Sequence, residues 1–202
     1  MMKTLLFAGT ALLMVVPTLA HAQDDANTFT GAHIGVDISR TRNSLRNDPG
    51  VIGTTDRNAR NGVGYRAHAG YDVQLGNVVI GAEAGIGGGG KSVRQTGTRG
   101  QYVLDPGLTY DVSARAGLVA VDGLLLYGRG GYRWLQSDRR TAPAAANGAT
   151  ATTRQTERAF SYGAGAEVLV SRSLSLRAEY NRTPYDKGYK ANAFSIGGSL
   201  RF

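Results

Sequence analysis

The chain has 202 residues, no cysteine, 29 glycines and a formal charge of +8. That length suits one domain, and the missing cysteine excludes a disulfide-stapled scaffold or a thiolate metal site. After the N-terminal run, no stretch approaches about 18 consecutive apolar residues, which excludes a transmembrane helix from the body of the chain.

Residues 1–22 read as a cleaved signal peptide. Lys3 gives the basic start, Leu5 to Val16 the apolar run, and Ala20-His21-Ala22 the small-x-small cleavage site. The mature chain would be residues 23–202.

Eight segments of alternating polarity follow. Gly31 to Ser39 sets Ala32, Ile34, Val36 and Ile38 against Gly31, His33, Gly35 and Asp37. Gly62 to Gln74 puts Val63, Tyr65, Ala67, Ala69, Tyr71 and Val73 on one face, with Gly64, Arg66, His68, Gly70 and Asp72 on the other. Val78 to Gly87 turns Glu83 among glycines, opposite Ile80 and Ile86. Leu108 to Val119 sets Tyr110, Val112 and Leu118 against Asp111, Ser113 and Arg115. Leu124 to Trp134 sets Leu126, Tyr132 and Trp134 against Arg129 and Arg133, with Tyr127 an aromatic exception on the polar side. Phe160 to Tyr180 supplies two segments, with Phe160, Tyr162, Val168, Val170, Leu174, Leu176 and Tyr180 against Glu167, Arg177 and Glu179. Ala191 to Phe202 sets Phe194, Ile196, Leu200 and Phe202 against Ser195, Ser199 and Arg201. Period-two alternation makes each a strand with one apolar face.

Tight turns at Leu75-Gly76, Val121 to Gly123 and Ser171 to Ser173 alternate with long polar connections at 40–61, 88–107 and 135–157, and a shorter one at 182–190. Full charges beside glycines on one face, with aromatics at the ends of the other, are the polarity of a strand with lipid outside and a polar lumen inside. The pattern predicts an all-β fold: an eight-stranded antiparallel up-and-down transmembrane β-barrel with short periplasmic turns and long extracellular loops. Backbone groups at an open edge in hydrocarbon would go unpaired, so the sheet must close. Tyr65, Tyr110, Tyr132, Trp134, Phe160, Tyr162 and Tyr180 fall near the loop-side ends as an interfacial girdle, with Tyr71 and Phe202 near the turn side.

Hairpin parity also predicts a lumen lining. The three turns place His68 opposite Glu83, Arg115 opposite Arg129, and Glu167 opposite Arg177. Together they form a roughly level salt-bridge belt that fills the lumen. Eight strands leave an interior just wide enough for side chains, so a narrow gated ion pore is the alternative to a plug. The mature chain has only His33 and His68, both of inward parity, and no nucleophile-base arrangement that lipid could reach. The expectation is no enzyme, no cofactor and no metal site. A soluble carrier would carry its charges outside, opposite to this pattern. Gly87 to Lys91 lacks the strand-loop-helix context of a phosphate loop, and an exported barrel does not call for nucleic acid.

The basic residues Arg40, Arg42, Arg46, Arg57, Arg60, Lys91, Arg94, Arg99, Arg139, Arg140 and Arg154 fall in the predicted loops. They read equally as simply solvated loop charges or as contacts with the phosphates and carboxylates of outer-membrane lipopolysaccharide or with an extracellular host polyanion.

The segments G-A-E-A-G (81 to 85), S-A-R-A-G-L (113 to 118), L-L-Y-G-R-G-G-Y (125 to 132), G-A-G-A-E (163 to 167), S-L-R-A-E-Y (175 to 180) and the terminal S-L-R-F resemble the OmpA-type transmembrane domain, and especially the Gly-rich opacity-like "porin family" outer-membrane proteins. The resemblance spans the mature chain except its loops. It implies a Gram-negative outer-membrane location and a lumen gate at Glu83, Arg115, Glu167 and Arg177. It also implies reading of the C-terminal strand (Phe194, Ile196, Leu200, Phe202) by the barrel-assembly machinery. The peptidoglycan-binding domain of the longer members has no counterpart here, and no domain is expected after Phe202.

Overall fold

The computed structural model describes residues 29–46, 57–89, 93–97, 100–143, 151–185 and 189–202. The expected signal peptide and the loop residues Lys91 and Arg99 lie outside them. Nine strands follow in chain order: β1 (Gly31–Arg46), β2 (Arg57–Leu75), β3 (Val78–Gly89), β4 (Val93–Gly97), β5 (Gly100–Val121), β6 (Leu124–Pro143), β7 (Ala151–Ser171), β8 (Leu174–Pro184) and β9 (Tyr189–Arg201). The short β4 pairs only with the loop-side end of β5. The other eight are antiparallel staves. β1 pairs β9, and β3 pairs β5 across the remaining gap, so the barrel closes.

The alternation sorts as expected. Ile34, Val36, Ile38, Val63, Tyr65, Ile80, Val112, Leu118, Val168, Leu176 and Leu200 stand exposed on the outside. Asp37, His68, Asp72, Glu83, Arg115, Glu167, Arg177 and Arg201 are buried within. Because the side-chain period along a strand is two, this polarity fixes the register to the correct face.

Two of the three turns reach the expected pairing by another route. Val121 pairs Leu124 and Ser171 pairs Leu174, which makes both turns two residues long. Register shifts between Val119 and Val121 and between Leu169 and Ser171 then restore Arg115 opposite Arg129 and Glu167 opposite Arg177. A bulge absorbs the extra residue. The third turn differs. Leu75 pairs Val78 around Gly76-Asn77, with Gly76 at φ +62°, a left-handed conformation that glycine adopts freely. His68 therefore faces Gly85, and Glu83 faces Gly70. The expected His68–Glu83 pairing is corrected by a register shift of two residues.

The barrel is also strongly sheared. From Asp72, Cα partners run through Gly81, Arg115, Arg129, Gly163, Asn181, Ala193 and Thr41 back to β2 at Gly62, ten residues from the start. Strands in such a barrel tilt by roughly 35–45°. A rung of partners is therefore a spiral, and no belt read off hairpins can be level.

The staves outrun the membrane. A bilayer needs about 9–11 tilted residues, whereas β5, β6 and β7 have 22, 20 and 21. Much of the sequence expected as long loops is thus paired strand that continues on the loop side.

Candidate functional site

The turn end is closed by an apolar floor. Phe29, just before β1, is fully buried with Val79, Leu125 and Tyr127, and Val119 and Leu169 pack against them. Its backbone N–H donates to Gln74 Oε1 at 2.8 Å. Arg201 donates to its carbonyl, with the guanidinium 5.3 Å from the ring centroid. Tyr127 faces inward because its ring joins this floor while its hydroxyl donates to Glu179 Oε2 at 2.8 Å.

Above the floor, six arginines and six carboxylates form two ion-paired sets among the described residues: Arg115 and Arg201 with Asp72 and Glu167 on the turn side, and Arg66, Arg129, Arg133 and Arg177 with Asp37, Glu83, Asp111 and Glu179 beyond them. Each set contains a closed circuit of alternating charge. In the turn-side circuit Arg115 binds Asp72 (Nε to Oδ1, 2.8 Å) and Glu167 (2.7 Å). Arg201 joins the same two carboxylates at 2.7 and 2.8 Å, and Ser175 donates to Glu167 at 2.7 Å. In the second circuit Arg177 binds Asp37 (2.8 Å) and Glu83 (2.7 Å), while Arg66 binds Glu83 (2.8 Å) and Asp37 (3.3 Å). Asp111 draws Arg66 and Arg129 to 2.7 and 2.8 Å, and Arg129 reaches Glu179 at 3.0 Å. His33 stands between the circuits, 3.3 Å from both Asp72 and Glu83.

Sequence reasoning located all six expected lumen residues on the inner face, and the Arg115–Arg129 and Glu167–Arg177 rungs hold, but the side chains do not pair along the rungs. Glu167 and Arg177 are Cα partners, yet their side chains part, Glu167 to the turn-side circuit and Arg177 to the other. Arg115 and Arg129 face each other without conflict because Asp72, Glu83, Asp111, Glu167 and Glu179 take up their charge. His68 contacts Arg177, Asp37 and Ser199 (3.0, 3.3 and 3.0 Å) instead of pairing with Glu83. Asp37, Arg66, Asp72, Asp111, Glu179 and Arg201 complete the network; their inward parity was readable, their partners were not.

His33, His68 and Glu83 present donor atoms within 4.8 Å of one another. Arg66, Arg129 and Arg177 already lie against the Glu83 carboxylate, so a metal ion there would face three guanidinium groups. The donor set fits ion pairing.

Inward glycines make room for these long side chains. A Cβ at Gly85 would lie 2.4–2.6 Å from the Arg66 guanidinium. Gly85→Ala is expected to push Arg66 off Asp111 and cost about 1–3 kcal/mol, measured as a lower urea midpoint of the refolded barrel.

Outside, Tyr65, Tyr110, Tyr132, Phe160, Tyr162 and Tyr180 are exposed and Trp134 half-buried, all with outward parity. Tyr132 meets Phe160 edge-on at 5.8 Å. Phe194, Ile196, Leu200 and Phe202 are likewise exposed on the outer face. Directly loop-ward of the girdle the same face turns basic. Arg40 and Arg42 follow Ile38, Arg158 precedes Phe160, Arg182 follows Tyr180, and Lys190 lies beyond Phe194. Registers place Arg158 beside Trp134, Arg182 beside Tyr162 and Arg40 beside Phe194.

Comparison with known proteins agrees with this architecture. Residues 8–202 match the family model described as outer membrane protein beta-barrel domain. A 22 kDa outer membrane protein of Rhizobium leguminosarum bv. viciae is 26% identical over 153 residues, covering 70% of this chain and 67% of the relative. The attachment invasion locus protein Ail of Yersinia pestis, solved with the heparin analogue sucrose octasulfate, superposes with a TM-score of 0.56 at 14% identity, covering 86% of this chain and 99% of that one. Neisserial surface protein A gives 0.54 at 15% identity, covering 86% and 98%.

Proposed function

The chain belongs to the outer membrane protein β-barrel domain family, and from that premise we propose that it is a non-enzymatic surface barrel with a plugged lumen and a basic outer rim that holds lipopolysaccharide. The observation that carries this reading is the rim. Arg40, Arg42, Arg158, Arg182 and Lys190 share the outward face with the girdle aromatics, one step beyond them. Aromatic side chains sit at the headgroup level of a membrane, so these cations meet the phosphates and carboxylates of the outer leaflet. Arginine pairs such groups bidentately.

The network and floor support the plug over a narrow gated pore. Most of their charged groups are buried and ion-paired, and an eight-stranded lumen has little space to spare. The absence of catalysis is part of the proposal: His33 and His68 are 1% and 5% exposed inside the barrel, beyond reach of lipid. The outward Phe194, Ile196, Leu200 and Phe202 are available to the barrel-assembly machinery during insertion. Binding of the heparin analogue by Ail makes a host polyanion a second ligand for the same rim.

The test is ligand-dependent stability. Lipopolysaccharide added to the detergent-refolded barrel should raise its unfolding temperature, and the rise should shrink as salt screens the rim. Arg40→Gln, Arg42→Gln and Arg158→Gln combined should abolish most of the rise and leave the ligand-free barrel as stable as before. An undiminished rise in the triple variant counts against the rim.

A further inference from the structure

Above the paired arginines the lumen widens toward the loops into a cavity of about 90 Å³. Ser39, Thr41, Asn43, Arg133, Asn181 and Tyr185 line its wall, and Asp37 and Glu179 its floor. At about 15 Å³ per water position, it has room for about six waters or one small polar solute.

Two polar atoms in this cup lack a hydrogen-bond partner. The Asn43 side chain is 2% exposed, and its Oδ1 accepts no hydrogen bond. Buried polar atoms are rarely left so. The Nε of Arg133 donates to nothing, and its guanidinium stands 3.9 Å from Asp111. Asp111 already holds Arg66 and Arg129 at 2.7 and 2.8 Å. Those two arginines also reach Glu83. Arg133 thus lines the cup with one N–H unused.

We propose that the cup binds a small hydroxylated carboxylate, with the Arg133 guanidinium holding the carboxylate and Asn43 Oδ1 accepting from a hydroxyl. A guanidinium fork matches a planar carboxylate, and an amide oxygen accepts from O–H. Asp37 and Glu179 on the floor disfavour a dianion such as phosphate, so a single charge fits better. The hydroxyls of Ser39 and Thr41, 3.4 Å apart, can exchange hydrogen bonds with the remainder. A free hydroxy acid and the acidic end residue of a saccharide share this chemistry. The cup lies inside the barrel and the basic rim outside it, so this site stands or falls independently of lipopolysaccharide contact.

Calorimetric titration of the full chain, refolded in detergent micelles, tests the assignment with sodium glucuronate, glucose and a glucuronate-terminated oligosaccharide. Glucuronate should bind saturably, and glucose at least tenfold more weakly. R133Q should weaken glucuronate at least tenfold and N43A several-fold, with Arg40→Gln/Arg42→Gln unchanged. Binding of the oligosaccharide as tightly as the monosaccharide assigns the cup to a chain end; binding of the monosaccharide alone assigns it to a free solute. Folding of each variant is checked by its heat-modifiable migration, and N43A carries the test if R133Q does not refold. No saturable heat with glucuronate, equal affinity for glucose, undiminished binding in the folded variants, or an equal loss in the rim variant overturns the proposal.

Discussion

Glu167→Ala is expected to destabilise the folded barrel by about 3–5 kcal/mol, the usual cost of removing one partner from a buried ion pair. The effect is large because Glu167 serves two cations, with Arg115 on one oxygen and Arg201 on the other. Truncation leaves both buried guanidinium groups short of a carboxylate, and removes the acceptor of Ser175. Asp72 remains with two guanidinium groups on a single carboxylate. Glu167→Gln keeps the shape but halves the acceptor capacity, and should fall between the wild type and the alanine variant. Urea unfolding in detergent, followed by the heat-modifiable gel shift, reads both. A midpoint unchanged in Glu167→Ala would mean that the turn-side circuit contributes nothing to holding the barrel.

Phe29→Ala is expected to cost a further class of energy, about 3–5 kcal/mol, through the cavity left by a fully buried aromatic ring. The ring is the centre of the floor formed with Val79, Leu125 and Tyr127, and it shields Arg201 from the turn-side solvent. The loss should be larger than for any truncation on the lipid-facing surface, where hydrocarbon refills the vacated volume. The variant should also unfold at lower urea without weakening glucuronate or lipopolysaccharide binding, since both of those sites are at the other end of the barrel.

Much of this was readable before the structure. The outward set from Ile34 to Leu200 and the inward set from Asp37 to Arg201 follow from period two alone, because one face must match lipid and the other must not. The Arg115–Arg129 and Glu167–Arg177 rungs were legible because a hairpin carries its register with it. Ion-pair partners were not legible. A ten-residue shear displaces each rung relative to the next hairpin, and an arginine reaches far enough to bypass its cross-strand neighbour, as Arg177 bypasses Glu167 for Asp37. The His68–Glu83 expectation failed on one turn, where Gly76 in a left-handed conformation moved the reversal by a residue. Phe29 carried no signal at all: it precedes the first alternating segment, and its role depends on Val79 and Leu125, 50 and 96 positions away in the chain. The projecting parts of β5 to β7 were hidden because polar residues on both faces read as loop.

The central claim is that ion pairs and an apolar floor close the lumen. Planar-bilayer recording of the wild type beside Arg115→Ala, at one salt concentration, addresses it most directly. A closed lumen predicts no open-channel steps from the wild type, and brief steps from Arg115→Ala as Asp72 and Glu167 lose their shared cation. Steady ohmic conductance from the wild type, unchanged in Arg115→Ala, would contradict it.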